Sequence, residues 1–320
     1  MRVLVTGGAG FIGSHTAAAL LEAGAEVTVL DNLSSGVREN IPRSARFVEG
    51  DIRSPESVER AIAGAEAVIH LAAFTSLPES FLRPRECMAV NVDGTLRILE
   101  SAVAHGVHKF VFASTSAIYA DDAPVPTDES IHPNPGSPYG LSKLVGERCL
   151  EWFHRRHGLP YTALRYFNVY GPRQPWDGPD SAVVSAFIVR ALRREPLVIH
   201  GTGKQTRDFV FVEDVVAANL AALERHEVVG IFNIGAGSQT SVEEIAGEVL
   251  RLTESPSPTT FGPLPPGDTE ASEACIDRVS GALGWQPRTP LAEGLRVCVE
   301  WFSHSVGGLP TSASSVLIPE

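Results

Sequence analysis

Near its start the sequence has an apolar stretch that leads directly into three evenly spaced glycines. Residues 3–5 (Val-Leu-Val) are typical of a buried parallel strand, and Gly7, Gly10 and Gly13 precede a segment, 14–23, that is predicted to be helical. Between a strand and a helix, such glycines allow a tight turn, the close approach of a pyrophosphate and close packing of the helix on the strand. The N–H groups at the helix N-terminus then face the phosphates. The stretch predicts a dinucleotide-binding site.

A second predicted strand, residues 26–30, ends next to Asp31, about twenty residues beyond the glycines. A carboxylate at this position accepts hydrogen bonds from the adenosine ribose and repels a 2′-phosphate. Asp31 therefore predicts that the dinucleotide is NAD rather than NADP.

Composition excludes several classes of protein. The 320 residues are 43% hydrophobic and 20% charged, as is usual for a globular chain. The net charge of -12 argues against a nucleic-acid partner, because such proteins present a basic surface. The cysteines, at 87, 149, 275 and 298, lack the spacing of a metal site and are expected to be reduced thiols. No apolar run reaches membrane-spanning length and no signal-like leader is visible, so we expect a cytoplasmic protein without a metal or a membrane partner.

Predicted strands and helices alternate through the first half of the chain, which is typical of an α/β fold with a Rossmann-type doubly wound parallel sheet. We predict strands at 47–52, 67–73, 109–113, 161–165, 197–200, 209–212 and 230–234, and helices at 54–63, 89–105, 137–156, 182–194, 215–224, 241–252, 279–283 and 291–303. Ser54 is a predicted N-cap, and Ser241 with Glu244 a predicted capping box. The Pro-rich residues 255–267 are interpreted as irregular.

The change of rhythm near residue 171 predicts a division of the chain. We predict an NAD-binding Rossmann domain at 1–170, to which 209–235 return, and a smaller mixed α/β substrate lobe at 171–208 and 236–305. Residues 306–320 lack periodicity and are expected to form a tail. A cleft between the two parts would lie at the carboxyl ends of the strands, where doubly wound sheets bind ligands.

Three polar residues near this cleft suggest catalysis. Tyr139 and Lys143 are four residues apart at the start of a predicted helix, so they lie on one face and the ammonium can stand near the phenol. A free tyrosine titrates near pH ~10, and a neighbouring cation favours the phenolate, which could then act as a general base near neutral pH. Ser116 follows the predicted strand 109–113, which places a hydroxyl at the cleft to bind the same substrate oxygen.

At these residues the chain resembles the extended short-chain dehydrogenase/reductase superfamily, in particular its NAD-dependent branch that modifies sugar nucleotides. The likeness runs from Met1 to about Ser303. The motifs that carry it are residues 7–13 (Gly-Gly-Ala-Gly-Phe-Ile-Gly), 31–32, 50–52 (Gly-Asp-Ile), 70–73 (His-Leu-Ala-Ala), Asn91, 114–116 (Ser-Thr-Ser), Tyr139 with Lys143, 165–172 (Arg-Tyr-Phe-Asn-Val-Tyr-Gly-Pro), 201–203 (Gly-Thr-Gly) and 207–208 (Arg-Asp).

The resemblance implies roles for individual residues. Ser116, Tyr139 and Lys143 would be the catalytic triad, Asp51 and Ile52 would flank the adenine, and the second lobe would bind the sugar nucleotide. The implied NAD-binding residues are Gly7, Gly10, Phe11, Ile12, Gly13, Asp31, Asn32, Asp51, Ile52, Leu71, Ala72, Ala73, Asn91, Ser114, Tyr139, Lys143 and Tyr166. The implied substrate residues are Thr75, Ser116, Tyr139, Asn168, Arg207 and Ser272, of which Asn168 and Arg207 would contact the nucleotide diphosphate.

The residue after Ser116 bears on the reaction. Members that are 4,6-dehydratases or decarboxylases typically carry an acidic residue there, whereas this chain has Ala117, which cannot transfer a proton. The pattern resembles the UDP-hexose 4-epimerases, which oxidise the sugar at C4 to a 4-keto intermediate and reduce it on the other face while NAD stays bound. A 4,6-dehydratase, a 4-ketoreductase or, outside the enzymes, an NAD-sensing regulatory protein are the alternatives; sensors commonly lose the tyrosine or the lysine.

Two departures from the epimerase pattern concern the substrate. A phosphate-binding arginine of the epimerases corresponds to Pro265 here, and the position beside the sugar C2 substituent, often a tyrosine, corresponds to Ser272. A small residue there leaves room for an N-acetyl group, so we expect UDP-GlcNAc and UDP-GalNAc to be accepted beside UDP-Glc and UDP-Gal. The resemblance also implies a homodimer built through the helices at 89–105 and 137–156.

Overall fold

The computed structural model describes residues 1–178, 181–263 and 269–306. Its strands are β1 (Arg2–Thr6), β2 (Glu26–Asp31), β3 (Arg46–Glu49), β4 (Ala67–His70), β5 (Lys109–Thr115), β6 (Tyr161–Tyr166), β7 (Asn168–Tyr170), β8 (Leu197–His200), β9 (Thr206–Arg207), β10 (Phe209–Phe211), β11 (Gly230–Ile234), β12 (Thr240–Ser241) and β13 (Thr259–Gly262). Its α-helices are α1 (Phe11–Glu22), α2 (Pro55–Ile62), α3 (Leu77–Leu82), α4 (Pro84–Met88), α5 (Thr95–Ala104), α6 (Pro138–His157), α7 (Val183–Leu192), α8 (Val212–Glu224), α9 (Val242–Thr253), α10 (Asp277–Leu283) and α11 (Leu291–Val306).

The main sheet is parallel and has seven strands in the order β11-β6-β5-β4-β1-β2-β3. The chain moves outward from β1 in one direction and then returns to build the other half, so the order reverses between β1 and β4. This confirms the predicted Rossmann-type doubly wound α/β fold. The predicted strand at Gly230–Ile234 also pairs in this sheet, with Gly230 opposite Thr162 on β6.

Apolar residues cover both faces of the sheet. On β1, Val3 and Val5 pack into one buried cluster, whereas Leu4 packs into the cluster on the opposite face. On β5, Val111 packs into the first of these clusters and Phe112 into the cluster on the opposite face. Because both faces are covered by helices, the strands are continuous apolar runs rather than alternating ones.

Local signals at the helix ends are confirmed. The hydroxyl of Ser54 accepts a hydrogen bond from the Ser57 N–H at the start of α2. At the start of α9, Ser241 and Glu244 form the reciprocal bonds of a capping box. These contacts involve residues three apart in sequence, which is why the sequence alone reveals them.

A further apolar cluster lies beyond the main sheet, where α7, α9 and α11 pack with β8 and β10. Here one prediction is wrong: β13 (Thr259–Gly262) lies within the stretch interpreted as irregular and pairs in parallel with β8. Prolines on both sides of this strand hid it, and its pairing depends on a partner strand far away in sequence. The division of the chain into two domains stays a prediction.

Other elements differ from the predictions in their bounds. The strands predicted at 47–52 and 67–73 end earlier, at Glu49 and His70, because the chain turns away at the carboxyl edge of the sheet. Helix α8 begins at Val212 rather than at 215, and the predicted helix 89–105 contains a π-helical segment, Ala89–Gly94, before α5. No helix in the described ranges is both long and apolar enough to cross a membrane. The tail predicted at 306–320 lies, except for Val306, outside the described residues.

Candidate active site

The glycine turn joins β1 to α1 with little space to spare. Gly7 has a left-handed φ of 71°, and a Cβ atom there would lie 2.7 Å from the backbone nitrogen of Ala72. A Cβ on Gly13 would lie 2.0 Å from the carbonyl oxygen of Gly7. Both positions therefore require glycine. The N-terminus of α1, whose first turn has no acidic residue, then lies at the edge of a cavity lined by Gly10 and Phe11.

A cavity of about 610 Å³ extends along the carboxyl edge of the sheet. Its lining includes nearly all the residues that the sequence assigns to NAD: Gly7, Gly10, Phe11, Ile12, Gly13, Asp31, Asn32, Asp51, Ile52, Leu71, Ala72, Ala73, Ser114, Tyr139, Lys143 and Tyr166. Thr75, assigned to the substrate, lines this cavity too. A glycine-lined helix N-terminus at the centre and carboxylates at one end suit a dinucleotide, so the residues present fit NAD.

Two carboxylates lie at the end where the adenosine is expected. The buried carboxylate of Asp31 accepts hydrogen bonds from the backbone N–H groups of Ala9 (3.0 Å) and Leu33 (2.8 Å), and it retains lone pairs for ribose hydroxyls. Asp51 accepts two bonds from the Arg53 guanidinium and one from Asn32. The hydrogen bonds from Arg53 lower the pKa of Asp51 to about 2.

Asn91 differs from the expectation, because it does not line the cavity. Its buried amide donates to the carbonyl oxygen of Phe74 (3.0 Å) and accepts from the Phe74 N–H (2.7 Å). It also donates to the Ser142 hydroxyl at 2.8 Å, and that hydroxyl donates to the Tyr139 carbonyl oxygen at 2.7 Å. Asn91 thus ties the wall at residues 71–75 to α6 and acts behind the site rather than in it.

Helix α6 brings the predicted base and its lysine to the cavity. The Ser137 hydroxyl caps the helix by accepting from the Gly140 N–H at 3.0 Å. A Cβ on Gly140 would lie 2.2 Å from the carbonyl oxygen of Ala117, so the first turn of α6 packs directly on the chain beside Ser116. Tyr139 lies in this first turn and lines the larger cavity together with Ser114 of β5.

Lys143 is almost fully buried, at 3% exposure. Its ammonium donates to the carbonyl oxygen of Ala113 at 2.9 Å and lies 5.0 Å from the centre of the Phe112 ring. Burial lowers the pKa of Lys143 to about 8. Burial, with the nearby Lys143 charge as a smaller cause, also lowers the pKa of His70, to about 3, so this histidine is neutral.

A second cavity, of about 230 Å³, contains most of the residues assigned to the substrate. Ser116 follows β5, Asn168 begins β7, Arg207 ends β9, and Ser272 lies in a loop after residue 268. Four separate parts of the chain thus converge on one space. The expected position of the missing arginine, Pro265, lies outside the described residues.

The two cavities lie side by side at the carboxyl edge of the sheet. At the end of β5, Ser114 lines the larger cavity, and Ser116, just beyond the strand, lines the smaller one. At the end of β6, Tyr166 lines the larger cavity, and the next residue, Phe167, lines the smaller one. The predicted catalytic residues are therefore placed at the boundary: Tyr139 and Lys143 on the side of the larger cavity, and Ser116 on that of the smaller.

Helix α3, which the sequence interpretation missed, lies at the same boundary. Leu77 and Phe81, one turn apart, line the smaller cavity, whereas Ser76 and Glu79 line the larger. The Ser76 hydroxyl accepts from the Glu79 N–H at 3.3 Å, so the pattern Ser-x-x-Glu was the signal that could have revealed this helix. Also missed were Gln174 and Pro175 in the larger cavity and Asp121 in the smaller. Within the described ranges no group of three or more His, Cys, Asp or Glu side chains is arranged to hold a metal ion.

Comparisons with known proteins agree with this geometry. The model of the NAD dependent epimerase/dehydratase family matches residues 3–235. The UDP-glucose 4-epimerase of Thermotoga maritima, solved with UDP-glucose, is 43% identical with a TM-score of 0.92 over 96% of this chain and 100% of that one. The UDP-glucose 4-epimerase of Thermus thermophilus, solved with NAD, is 39% identical with a TM-score of 0.88 over 94% and 99%.

A third solved structure is the UDP-N-acetylglucosamine 4-epimerase of Methanobrevibacter ruminantium M1, in complex with UDP-N-acetylmuramic acid. It is 34% identical, with a TM-score of 0.91 over 95% of this chain and 98% of that one. The family match covers more than half of the chain, and each of these structures is similar over nearly its whole length. The chain is an enzyme of the NAD-dependent epimerase/dehydratase family, and its cofactor is NAD.

Proposed function

We propose that this enzyme interconverts UDP-glucose and UDP-galactose by inverting the configuration at C4 of the sugar. The observation that carries the proposal is the boundary between the two cavities. Tyr139 and Lys143 line the cavity that fits NAD, and Ser116, Asn168, Arg207 and Ser272 line the adjoining one. A sugar held in the smaller cavity would therefore present its reacting carbon to the base and the cofactor together.

The roles proposed for the three catalytic residues follow from their places. The Tyr139 phenolate takes the proton of the C4 hydroxyl and later returns it to the same oxygen. Lys143 stabilises the phenolate by its charge, and the Ser116 hydroxyl donates a hydrogen bond to the C4 oxygen. NAD, when bound, supplies the hydride acceptor and then the donor.

Inversion requires the 4-keto sugar to turn while its nucleotide stays in place. Arg207 is 9% exposed, and one of its guanidinium nitrogens donates to the carbonyl oxygen of Thr206 at 2.7 Å, which orients the side chain. We propose that Arg207 and Asn168 hold the diphosphate, so that only the hexose moves. Ala117 lines the same cavity and has no proton to give, which favours epimerisation over a 4,6-dehydratase reaction.

Two finer proposals concern the sugar and the assembly. Ser272 lines the smaller cavity, and the similar enzyme from Methanobrevibacter ruminantium M1 is a UDP-N-acetylglucosamine 4-epimerase, which supports acceptance of UDP-GlcNAc and UDP-GalNAc. An apolar groove between α5 and α6, lined by Leu96, Leu144, Val145, Cys149, Trp152 and Phe153, supports a homodimer through these helices.

The test is to incubate the purified protein, without added cofactor, with UDP-galactose or UDP-GalNAc and to separate the products by anion-exchange chromatography. We expect the gluco epimer to appear, with NAD carried by the protein. A 4-keto-6-deoxy product would instead identify a dehydratase, and stoichiometric consumption of added NADH a reductase. If neither sugar changes even with NAD added, the UDP-hexose proposal is wrong, and dTDP- and GDP-sugars come next.

A further inference from the structure

Asp208 follows Arg207 in the chain, lines neither cavity, and is fully buried at 0% exposure. It lies between β9 and β10, and its carboxylate accepts hydrogen bonds from three backbone N–H groups. The donors are Ala236, Gly237 (3.0 Å) and Ala274 (2.9 Å). The bonds of this carboxylate thus hold two other segments of the chain in place.

The backbone of Asp208 holds a third segment. Its carbonyl oxygen accepts the N–H of Asn168 at 2.9 Å. The residue before Asp208 is Arg207, and the residue that its carboxylate binds, Ala274, lies two positions after Ser272. Asp208 is therefore linked closely to all three residues of the second half that are proposed to bind substrate. Asn168 is hydrogen-bonded to it, Arg207 precedes it in the chain, and Ser272 lies two residues before a hydrogen-bonded partner.

The loop that carries Ser272 lies outside the helices and strands, so its position depends on a few bonds. On one side, Thr127 forms a parallel bridge to Ala274: its N–H donates to the Glu273 carbonyl oxygen (2.8 Å), and its own carbonyl oxygen accepts the Cys275 N–H (2.9 Å). The Thr206 N–H donates to the Glu270 carbonyl oxygen (3.0 Å). Asp208 makes the bond on the buried side. Gly235 leaves room for it, because a Cβ there would lie 2.6 Å from a carboxylate oxygen of Asp208.

A buried carboxylate is expensive to maintain, and burial raises the pKa of Asp208 to about 6 although the three N–H groups oppose that shift. We propose that Asp208 is a positioning residue for the nucleotide sugar, fixing Asn168, Arg207 and the Ser272 loop relative to one another. The proposal rests on the proposed function. In this role Asp208 contacts neither substrate nor cofactor.

The chain provides a matched control in Asp214. This residue is also buried, at 5% exposure, and its carboxylate accepts two backbone N–H groups, those of Arg288 (2.9 Å) and Thr289 (3.0 Å). The segment that it holds lines neither cavity. Asp208→Asn and Asp214→Asn make the same chemical change, placing an amide where a carboxylate oxygen accepted an N–H.

The experiment compares both variants with wild type by three measurements: melting temperature, UDP affinity by calorimetry, and the steady-state constants for UDP-galactose. We expect both variants to melt lower. Only Asp208→Asn should bind UDP roughly tenfold or more weakly and show a matching rise in KM, with kcat little changed, because a buried N–H loses its acceptor next to the site. Equal effects of the two variants on UDP affinity, or none from Asp208→Asn, would overturn the proposal.

If Asp208→Asn does not fold, Gly235→Ala disturbs the same junction, because its Cβ would lie 2.6 Å from both a carboxylate oxygen of Asp208 and the Cβ of Ala274. It should reproduce the loss of UDP affinity. Its control is Gly247→Ala on α9, where an added Cβ meets no atom within 4 Å. A folded Gly235→Ala with wild-type UDP affinity would count against the inference. Wild-type protein that binds neither UDP nor UDP-galactose would contradict the proposed function instead.

Discussion

The ammonium group of Lys143 donates a 2.9 Å hydrogen bond to the carbonyl oxygen of Ala113. This bond ties α6, which carries Tyr139, to β5, which ends beside Ser116. The helix and the strand approach closely at a second point, where a Cβ on Gly146 would lie 2.6 Å from the Phe112 ring. Contacts between α6 and β5 therefore set the relative position of the proposed catalytic groups.

Because the Lys143 charge is buried, we predict that this lysine lowers the stability of the fold while it supports activity. Folding lowers the pKa of Lys143 from 10.5 to about 8. Between these pH values the unfolded chain holds a proton on this residue that the folded chain has lost. The free energy of unfolding of the wild type therefore rises with pH in that window. Below pH 8 the folded state carries the full penalty. Lys143→Met removes this penalty. We compare the free energy of unfolding of the variant minus that of the wild type at two pH values. This difference should be higher at pH 7 than at pH 10.5 by about 3 kcal/mol.

Urea unfolding of the NAD-free proteins at both pH values measures this difference, and Lys143→Met should also be inactive. Lys204→Met, at an exposed position, serves as the control and should show no such dependence. A Lys143→Met effect that is equal at the two pH values would show that the buried charge carries no penalty.

Tyr139→Phe should reduce turnover by about two to four orders of magnitude, because only the phenol that transfers the proton is lost. The content of bound NAD, measured by absorbance after denaturation, should stay at the wild-type level. Tyr161→Phe removes a buried phenol outside both cavities and should leave turnover intact. Near-normal activity of Tyr139→Phe would rule out its role as the base.

Asp31→Asn should weaken NAD binding by about tenfold and narrow the preference for NAD over NADP, because the charge that repels a 2′-phosphate is gone. Fluorescence titration of the NAD-free protein with each cofactor measures both effects. Glu49 pairs with Asp31 in register on β3 but is exposed, so Glu49→Gln is the matched control. An unchanged ratio of NAD to NADP affinity in Asp31→Asn would contradict the assignment.

Ser272→Tyr should exclude N-acetylated sugars from the smaller cavity. We expect kcat/KM for UDP-GalNAc to fall at least about tenfold relative to that for UDP-galactose, since an added ring overlaps the space for the acetyl group. Ser272→Ala keeps the residue small and should leave the ratio unchanged. If Ser272→Tyr turns over both sugars in the wild-type ratio, this position does not face the C2 substituent.

Trp152→Glu should separate the proposed dimer. Trp152 lies on α6 with 51% of its surface exposed, and a carboxylate there would be buried against the second copy. Sedimentation velocity at micromolar concentration should give a dimer for wild type and a monomer for the variant. Phe261, 61% exposed on β13, provides the control, since Phe261→Glu should remain dimeric. A monomeric wild type would refute the dimer outright.

The features that the sequence predicted correctly depend on near neighbours. The turn from β1 to α1 follows from glycines a few residues apart, and the caps at Ser54 and Ser241 follow from hydrogen bonds across three residues. The parallel sheet followed from the alternation of apolar strands with helices. Each turn, cap, strand and helix is signalled within a short window, because backbone conformation and local hydrogen bonding act over that range, and the alternation is the order of these local signals along the chain.

What lay beyond the sequence depends on contacts between distant segments. β13 exists because β8 pairs with it, and Asn91 turned out to support Phe74 rather than to line the cavity. The motif at 207–208 was visible as letters, but the three N–H groups that Asp208 holds come from elsewhere in the chain. The sequence alone determined that a dinucleotide turn and a parallel sheet would form. Only the tertiary structure decided which side chains meet at the boundary of the two cavities, because that meeting requires the whole core to be packed.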